Sequence, residues 1–136
     1  MEGWDSYWAC NDTPRSGFNG VCTYARQGTV QEAHARPFGD KELDVEGRAI
    51  VTVHGRMAIL NVYVPCGHGA AKVRFLEATR RVAQVLRARG LKVVVVGDLN
   101  LSSRACDVFF KWRMVSLHPP SPLLPPSVSA ALPRLL

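Results

Sequence analysis

Four cysteines are too few and too scattered to hold this chain together. Cys10, Cys22, Cys66 and Cys106 lie 12, 44 and 40 positions apart, and neither a CxxC pair nor a histidine ladder accompanies them. A structural zinc site and a disulfide framework are both excluded as readings, and reduced, buried thiols are expected. No basic, apolar and small-residue leader opens the chain, and no run approaches the roughly 18 apolar residues that would span a bilayer. A soluble intracellular protein with no membrane partner is therefore expected. Acid is also in short supply: 17 basic residues stand against 11 acidic ones, a net charge of +6 in 136 residues. That balance favours a polyanionic partner, nucleic acid first.

What remains is ordinary globular material. Hydrophobic residues make up 47% of the chain and charged ones 21%, which argues against wholesale disorder. The length suits one domain able to bury roughly two thirds of its unfolded surface. Composition changes near Met114. Residues 115–136 hold six of the nine prolines, four serines, no acid and one formal charge, Arg134. With neither helical nor strand periodicity, that Pro/Ser/Leu-rich stretch reads as an irregular or disordered tail on a folded region of residues 1–114. Its "PPSPLLPP" is a weak signal for a protein partner, whose identity stays open.

The folded region carries regular patterns. "GVCTYAR" (Gly20 to Arg26) and "RAIVTVH" (Arg48 to His54) have the β-branched and aromatic content of strands. "MAILNVYVP" follows the second after Gly55 and Arg56, which predicts an antiparallel hairpin. Alternation in that strand puts Ala58, Leu60, Val62 and Val64 on one face and Ile59, Asn61 and Tyr63 on the other. From Ala71 to Arg89 apolar residues recur at helical spacing, and Gly90 stands where a C-cap belongs. Lys72, Arg74, Arg80, Arg81, Arg87 and Arg89 are expected on the outer face of that helix, as a solvated face or a phosphate-tracking one. "KVVVVGDLN" reads as a strand covered on both sides. The sum is a layered α/β fold.

At the end of the valine run an acid and an amide stand two residues apart. If Val96 to Asn100 stays extended, Asp98 and Asn100 project from one side. Asp98 can then accept a proton from an attacking water, and Asn100 can orient that water or donate to a phosphate oxygen. Gly97 leaves room for a ligand or another backbone. Tyr63 and Asn61 point together from the polar side of the preceding strand, and a phenol there can donate to charge that builds on phosphate. The plainer alternative is a turn after a buried strand, with Tyr63 as packing and Asn61 as a satisfied polar group.

Taken in order, "SGFNGVCTYAR", "DVEGRAIVTVHGRMAILNVYVPCG" and "VVVVGDLNLSSRACDV" resemble the exonuclease III type AP endonucleases of the endonuclease/exonuclease/phosphatase superfamily. "SRACD" favours the branch of the second eukaryotic AP endonuclease. The likeness implies an incomplete four-layer α/β sandwich and magnesium-dependent hydrolysis, with manganese as a substitute, of double-stranded DNA 5′ to an abasic site. A 3′ exonuclease or phosphodiesterase activity can accompany it. It implies a nuclear location, the mitochondrion being the alternative. By motif, Tyr63 matches the family's active-site tyrosine and Asp98 the aspartate that handles the nucleophilic water. Asn100 matches the asparagine beside it, and Asp98 and Asn100 are also given metal contacts. Ser16, Gly17, Asn19 and Gly20 match a loop that approaches the DNA backbone, and Asn61 joins them as a DNA-binding candidate. Arg48 matches a recurrent position without an assigned role.

Two elements of the family pattern are missing. An early strand-end carboxylate has no counterpart, and His118 in "SLHPP" lacks the adjacent acid of the family's late Asp-His pair. Asp98 and Asn100 supply only part of a hard cation's ligand set, and Cys66 replaces a polar residue with a poor hydrogen-bond donor. Weak or absent activity is expected from these 136 residues alone. A noncatalytic nucleic-acid or protein binding remnant is the second reading. A third keeps the chemistry but turns to RNA tails, inositol phosphates or phospholipid head groups.

Overall fold

The computed structural model describes residues 2–14, 17–67 and 69–101. Ser16, the "SRACD" motif, His118 and the tail from Val115 onward lie outside the described residues. Those described fall into two compact units, one holding 2–63 with 82–99 and the other 64–81 with 100–101.

Among the described residues, six strands and two helices follow in the order β1 (Trp4–Ala9), β2 (Val21–Arg26), β3 (Glu32–His34), α1 (Lys41–Asp44), β4 (Ala49–His54), β5 (Met57–Tyr63), α2 (Ala70–Ala88) and β6 (Lys92–Asp98). All six strands lie in the first unit. β1 and β2 form an antiparallel two-stranded sheet, and the others form a sheet of order β3-β4-β5-β6. β4 and β5 are antiparallel with His54 opposite Met57, and Gly55, at φ +58, lets the chain reverse. β5 and β6 run parallel, which demands a long crossover. Helix α2 supplies it. The helix ends as a Schellman motif, with Leu91 N–H donating to Leu86 C=O at 3.2 Å and Gly90 N–H to Arg87 C=O at 2.9 Å. Gly90 takes the left-handed conformation this closure needs, at φ +82.

The core of the first unit follows the strand alternation. Ala58, Leu60 and Val62 of β5 are buried, as are Ala49, Ile50, Val51 and Val53 of β4, Ala9 and Ala25 of the hairpin, and Ala83 and Leu86 of α2. The two sheets touch where the hairpin lies over β4 and β5. Asp44, the last residue of α1, is a buried carboxylate that accepts from the backbone N–H of Phe38 at 3.1 Å and of Asp40 at 3.2 Å. In the second unit Val64, Phe75, Leu76, Ala78 and Thr79 are buried. No helix among the described residues is long and apolar enough to cross a membrane.

Four expectations need correction. The thiols are not buried: Cys10 and Cys66 are exposed and Cys22 is half-buried, with Cys106 outside the described residues. The valine run is not covered on both sides: Val93 and Val95 are half-buried, whereas Val94 and Val96 are 42% and 39% exposed. β6 is the last strand of its sheet among the described residues, and the hairpin lies mainly over β4 and β5. An unbroken apolar run shows what a strand tolerates, and a covering layer is a separate matter. Lys72 is not on the outer face of its helix. It is 3% exposed, and its ammonium donates to the Asn100 backbone carbonyl at 2.7 Å. Finally, the extended run stops at Asp98, and Asn100 adopts φ +48. Strand alternation therefore no longer decides which way Asn100 points.

Candidate active site

Parallel pairing of β5 with β6 sets Tyr63 directly opposite Asp98, two positions beyond Asn61 opposite Val96. Alternation puts Asn61 and Tyr63 on one face of β5, and their register partners Val96 and Asp98 lie beside them on β6. Asn61 identifies that face as the one turned to the hairpin: its amide donates to the Cys22 carbonyl at 3.0 Å and to Thr23 Oγ1 at 3.3 Å. The C-terminal ends of two parallel strands thus present a half-buried phenol and an exposed carboxylate side by side, on backbones about 4.8 Å apart.

Gly97 makes that approach work. At φ +111 it holds a conformation L side chains rarely adopt, and a Cβ added there would lie 2.1 Å from Val62 O and 2.8 Å from Asn61 Oδ1. The backbone admitted by this glycine is that of β5.

Tyr63 is fixed from its other side by Arg48, which the sequence left without a role. The Tyr63 N–H donates to Arg48 C=O at 2.8 Å, so the two residues continue the β4–β5 ladder. The guanidinium carbon then lies 4.7 Å from the centre of the Tyr63 ring, while Nη1 donates to the Tyr63 carbonyl at 3.4 Å and Nε to a carboxylate oxygen of Glu46. Gly47, between Glu46 and Arg48, has φ +64 and so little room that a Cβ would meet the Cys10 carbonyl carbon at 2.3 Å. "EGR" is thus a chain reversal followed by a clamp, and its glycine was the legible part of the signal.

Asn100 belongs to the second unit. Its amide donates to the Val64 carbonyl at 2.7 Å, and its own carbonyl accepts from Lys72. In the loop between β1 and β2, Gly17, Asn19 and Gly20 take φ values of +90, +62 and +102. The Asn11 amide holds the Phe18 carbonyl at 3.0 Å. The Asn19 amide nitrogen is buried and lacks a hydrogen-bond partner among the described residues. Cys66 is exposed.

Among the described residues no three His, Cys, Asp or Glu side chains gather into a group able to hold a metal. A hard divalent cation takes carboxylates, usually one or two alongside waters and substrate oxygens. Asp98 is one donor of that kind, and its neighbours across the strand are a phenol and an amide already engaged. The described donor set does not by itself make a cation site.

This architecture has known counterparts. The 3′ phosphatase NExo from Neisseria, solved bound to a product DNA hairpin, superposes with a TM-score of 0.70 at 19% identity, over 98% of this chain and 50% of its own. The catalytic domain of Xenopus laevis APE2 superposes with a TM-score of 0.60 at 24% identity, over 76% of this chain and 44% of its own. The fold is that of the AP endonuclease and exonuclease group, present here as an incomplete α/β sandwich. In sequence, DNA-(apurinic or apyrimidinic site) endonuclease 2 of Xenopus laevis is 26% identical over 145 residues, 79% of this chain. The likeness read from the sequence is thereby found in both sequence and fold. The chain spans 28% of that relative's length. No protein-family model matches it.

Proposed function

We propose that this chain carries the central catalytic segment of a DNA repair phosphodiesterase that cleaves the backbone 5′ to an abasic site. The observation that carries the reading is the register pair Tyr63–Asp98 at the C-terminal ends of parallel β5 and β6. Asp98, exposed and on the strand's last position, accepts the proton of an attacking water. Tyr63 donates a hydrogen bond from its hydroxyl to a non-bridging phosphate oxygen as negative charge accumulates there and the bond from phosphorus to the departing 3′ oxygen breaks. Gly17, Asn19 and Gly20 form the loop offered to the DNA backbone, and the net charge of +6 draws the duplex in. Magnesium dependence and a nuclear location accompany the reading as expectations. The described donors do not complete a site for the cation.

Incision of an end-labelled abasic duplex by the purified chain tests the proposal, beside EDTA and Asp98→Ala controls. Product 5′ to the abasic site that both controls abolish supports it. Cleavage indifferent to Asp98→Ala refutes the assignment of that carboxylate.

The incomplete donor set favours a second reading, a noncatalytic DNA-binding remnant. In that case Asp98→Ala leaves duplex affinity unchanged or tightens it, because a negative charge has gone from a phosphate-facing surface, and no incision accompanies binding.

A further inference from the structure

Tyr63 has three contacts with one residue, and none of them involves its hydroxyl. Its N–H and C=O both bond to Arg48, and its ring lies under the Arg48 guanidinium at 4.7 Å. The Arg48 side chain is only 13% exposed, while Glu46, which binds Nε, is 44% exposed. The cation is thus shielded from water by the ring and strand it covers and is oriented from the solvent side by a carboxylate. A planar guanidinium can stack on a ring face while keeping its in-plane donors for other partners, which a lysine ammonium cannot do. The arrangement leaves the phenolic edge of Tyr63 free and removes rotational freedom from the ring that bears it.

We infer that Arg48 is a positioning residue: stacked on the Tyr63 ring and oriented by Glu46, it aims the phenol at the phosphate. This rests on the role given to Tyr63 above. The physical gain is preorganisation. A hydrogen-bond donor held in its transition-state geometry needs no reorganisation when charge develops, and a misplacement of about 1 Å can cost roughly 100-fold in rate. Gly47 has a place in the same device, because its left-handed turn brings Glu46 and Arg48 onto one side of the strand end.

The test uses the full chain labelled with 3-fluorotyrosine. It has three tyrosines, Tyr7, Tyr24 and Tyr63, and the Tyr63 fluorine resonance is assigned by its loss in Tyr63→Phe. Arg48→Met, which keeps an unbranched apolar stem and removes the charged plane, is expected to shift the Tyr63 resonance and leave those of Tyr7 and Tyr24 in place. The latter two signals report that the variant is folded. In single-turnover incision Arg48→Met is expected to lose about 10- to 100-fold, Arg48→Lys to recover part of that loss, and Arg48→Met to cost little further in a Tyr63→Phe background. An unmoved Tyr63 resonance overturns the inference, as does a loss in the double variant equal to the product of the two single losses. If the unaltered chain incises no DNA, the function proposed above fails, and the fluorine signal alone decides whether Arg48 holds the ring.

Discussion

Replacing Gly97 with alanine separates two costs that glycine usually hides together. Gly97 and Gly90 both have positive φ, +111 and +82, but nothing lies within 4 Å of a Cβ built on Gly90, whereas one built on Gly97 meets Val62 O at 2.1 Å and Val62 N at 3.0 Å. Gly90→Ala should incur only the left-handed backbone penalty, about 1 to 2 kcal/mol. Gly97→Ala should add the cost of forcing an atom into a filled space, about 1 to 3 kcal/mol. Relaxation is restricted because the atom in the way belongs to the backbone of β5, itself paired on its far side with β4. The sum, about 2 to 5 kcal/mol, is a large part of the roughly 5 to 15 kcal/mol that holds a domain of this size together. Urea unfolding of the two variants beside the unaltered chain gives both numbers. Equal losses for Gly90→Ala and Gly97→Ala would refute the close approach of β6 to β5 on which the Tyr63–Asp98 pairing depends.

Other expectations follow from single contacts. Asn61→Ala removes the bonds from β5 to Cys22 and Thr23 and should lower stability by about 1 to 3 kcal/mol in urea unfolding. Asn100 combines φ +48 with an amide bond to Val64. Asn100→Gly should lose the bond alone, about 1 kcal/mol, and Asn100→Ala should lose more, because alanine also resists the left-handed backbone. The Arg89 guanidinium, with help from His34, holds the Glu32 carboxyl below its ordinary value. A depressed acid stabilises the fold above its unfolded pKa and loses that contribution as pH falls through the folded one. Thermal melts should therefore show a small gap between the unaltered chain and Glu32→Gln at neutral pH, closing in acid and shrinking in salt.

Much of the local architecture was legible because alternation and helical spacing are properties of single segments. β4, β5 and α2 stand where their patterns predicted, and the faces of β5 divide as expected, with Asn61 and Tyr63 opposite Leu60 and Val62. Trp4 to Ala9 carries no such signal, since each of its faces mixes apolar and polar residues, Trp4, Ser6 and Trp8 on one and Asp5, Tyr7 and Ala9 on the other. Pairings between segments were harder to read. The burial of Lys72 comes from a carbonyl 28 residues away, and the exposure of Val94 and Val96 depends on what lies above β6. Arg48 is the instructive case: its motif was recognised, but its role needed the ring of Tyr63, 15 residues on, to arrive beneath it. The φ +48 of Asn100 was unreadable for a local reason, since asparagine after a strand serves equally as the next extended residue or as the turn that ends it.

The central claim is that Tyr63 and Asp98 act on one phosphate. Single-turnover incision of an abasic duplex should be measured for the unaltered chain, Tyr63→Phe, Asp98→Ala and the double variant, with duplex affinity determined on the same samples. The account predicts a loss of about 100- to 1,000-fold for Tyr63→Phe and a larger one for Asp98→Ala. The double variant should be scarcely slower than Asp98→Ala, as residues that act as a unit are strongly non-additive, and affinity should be preserved throughout. Losses that multiply in full, or that follow a parallel loss of binding, would contradict it.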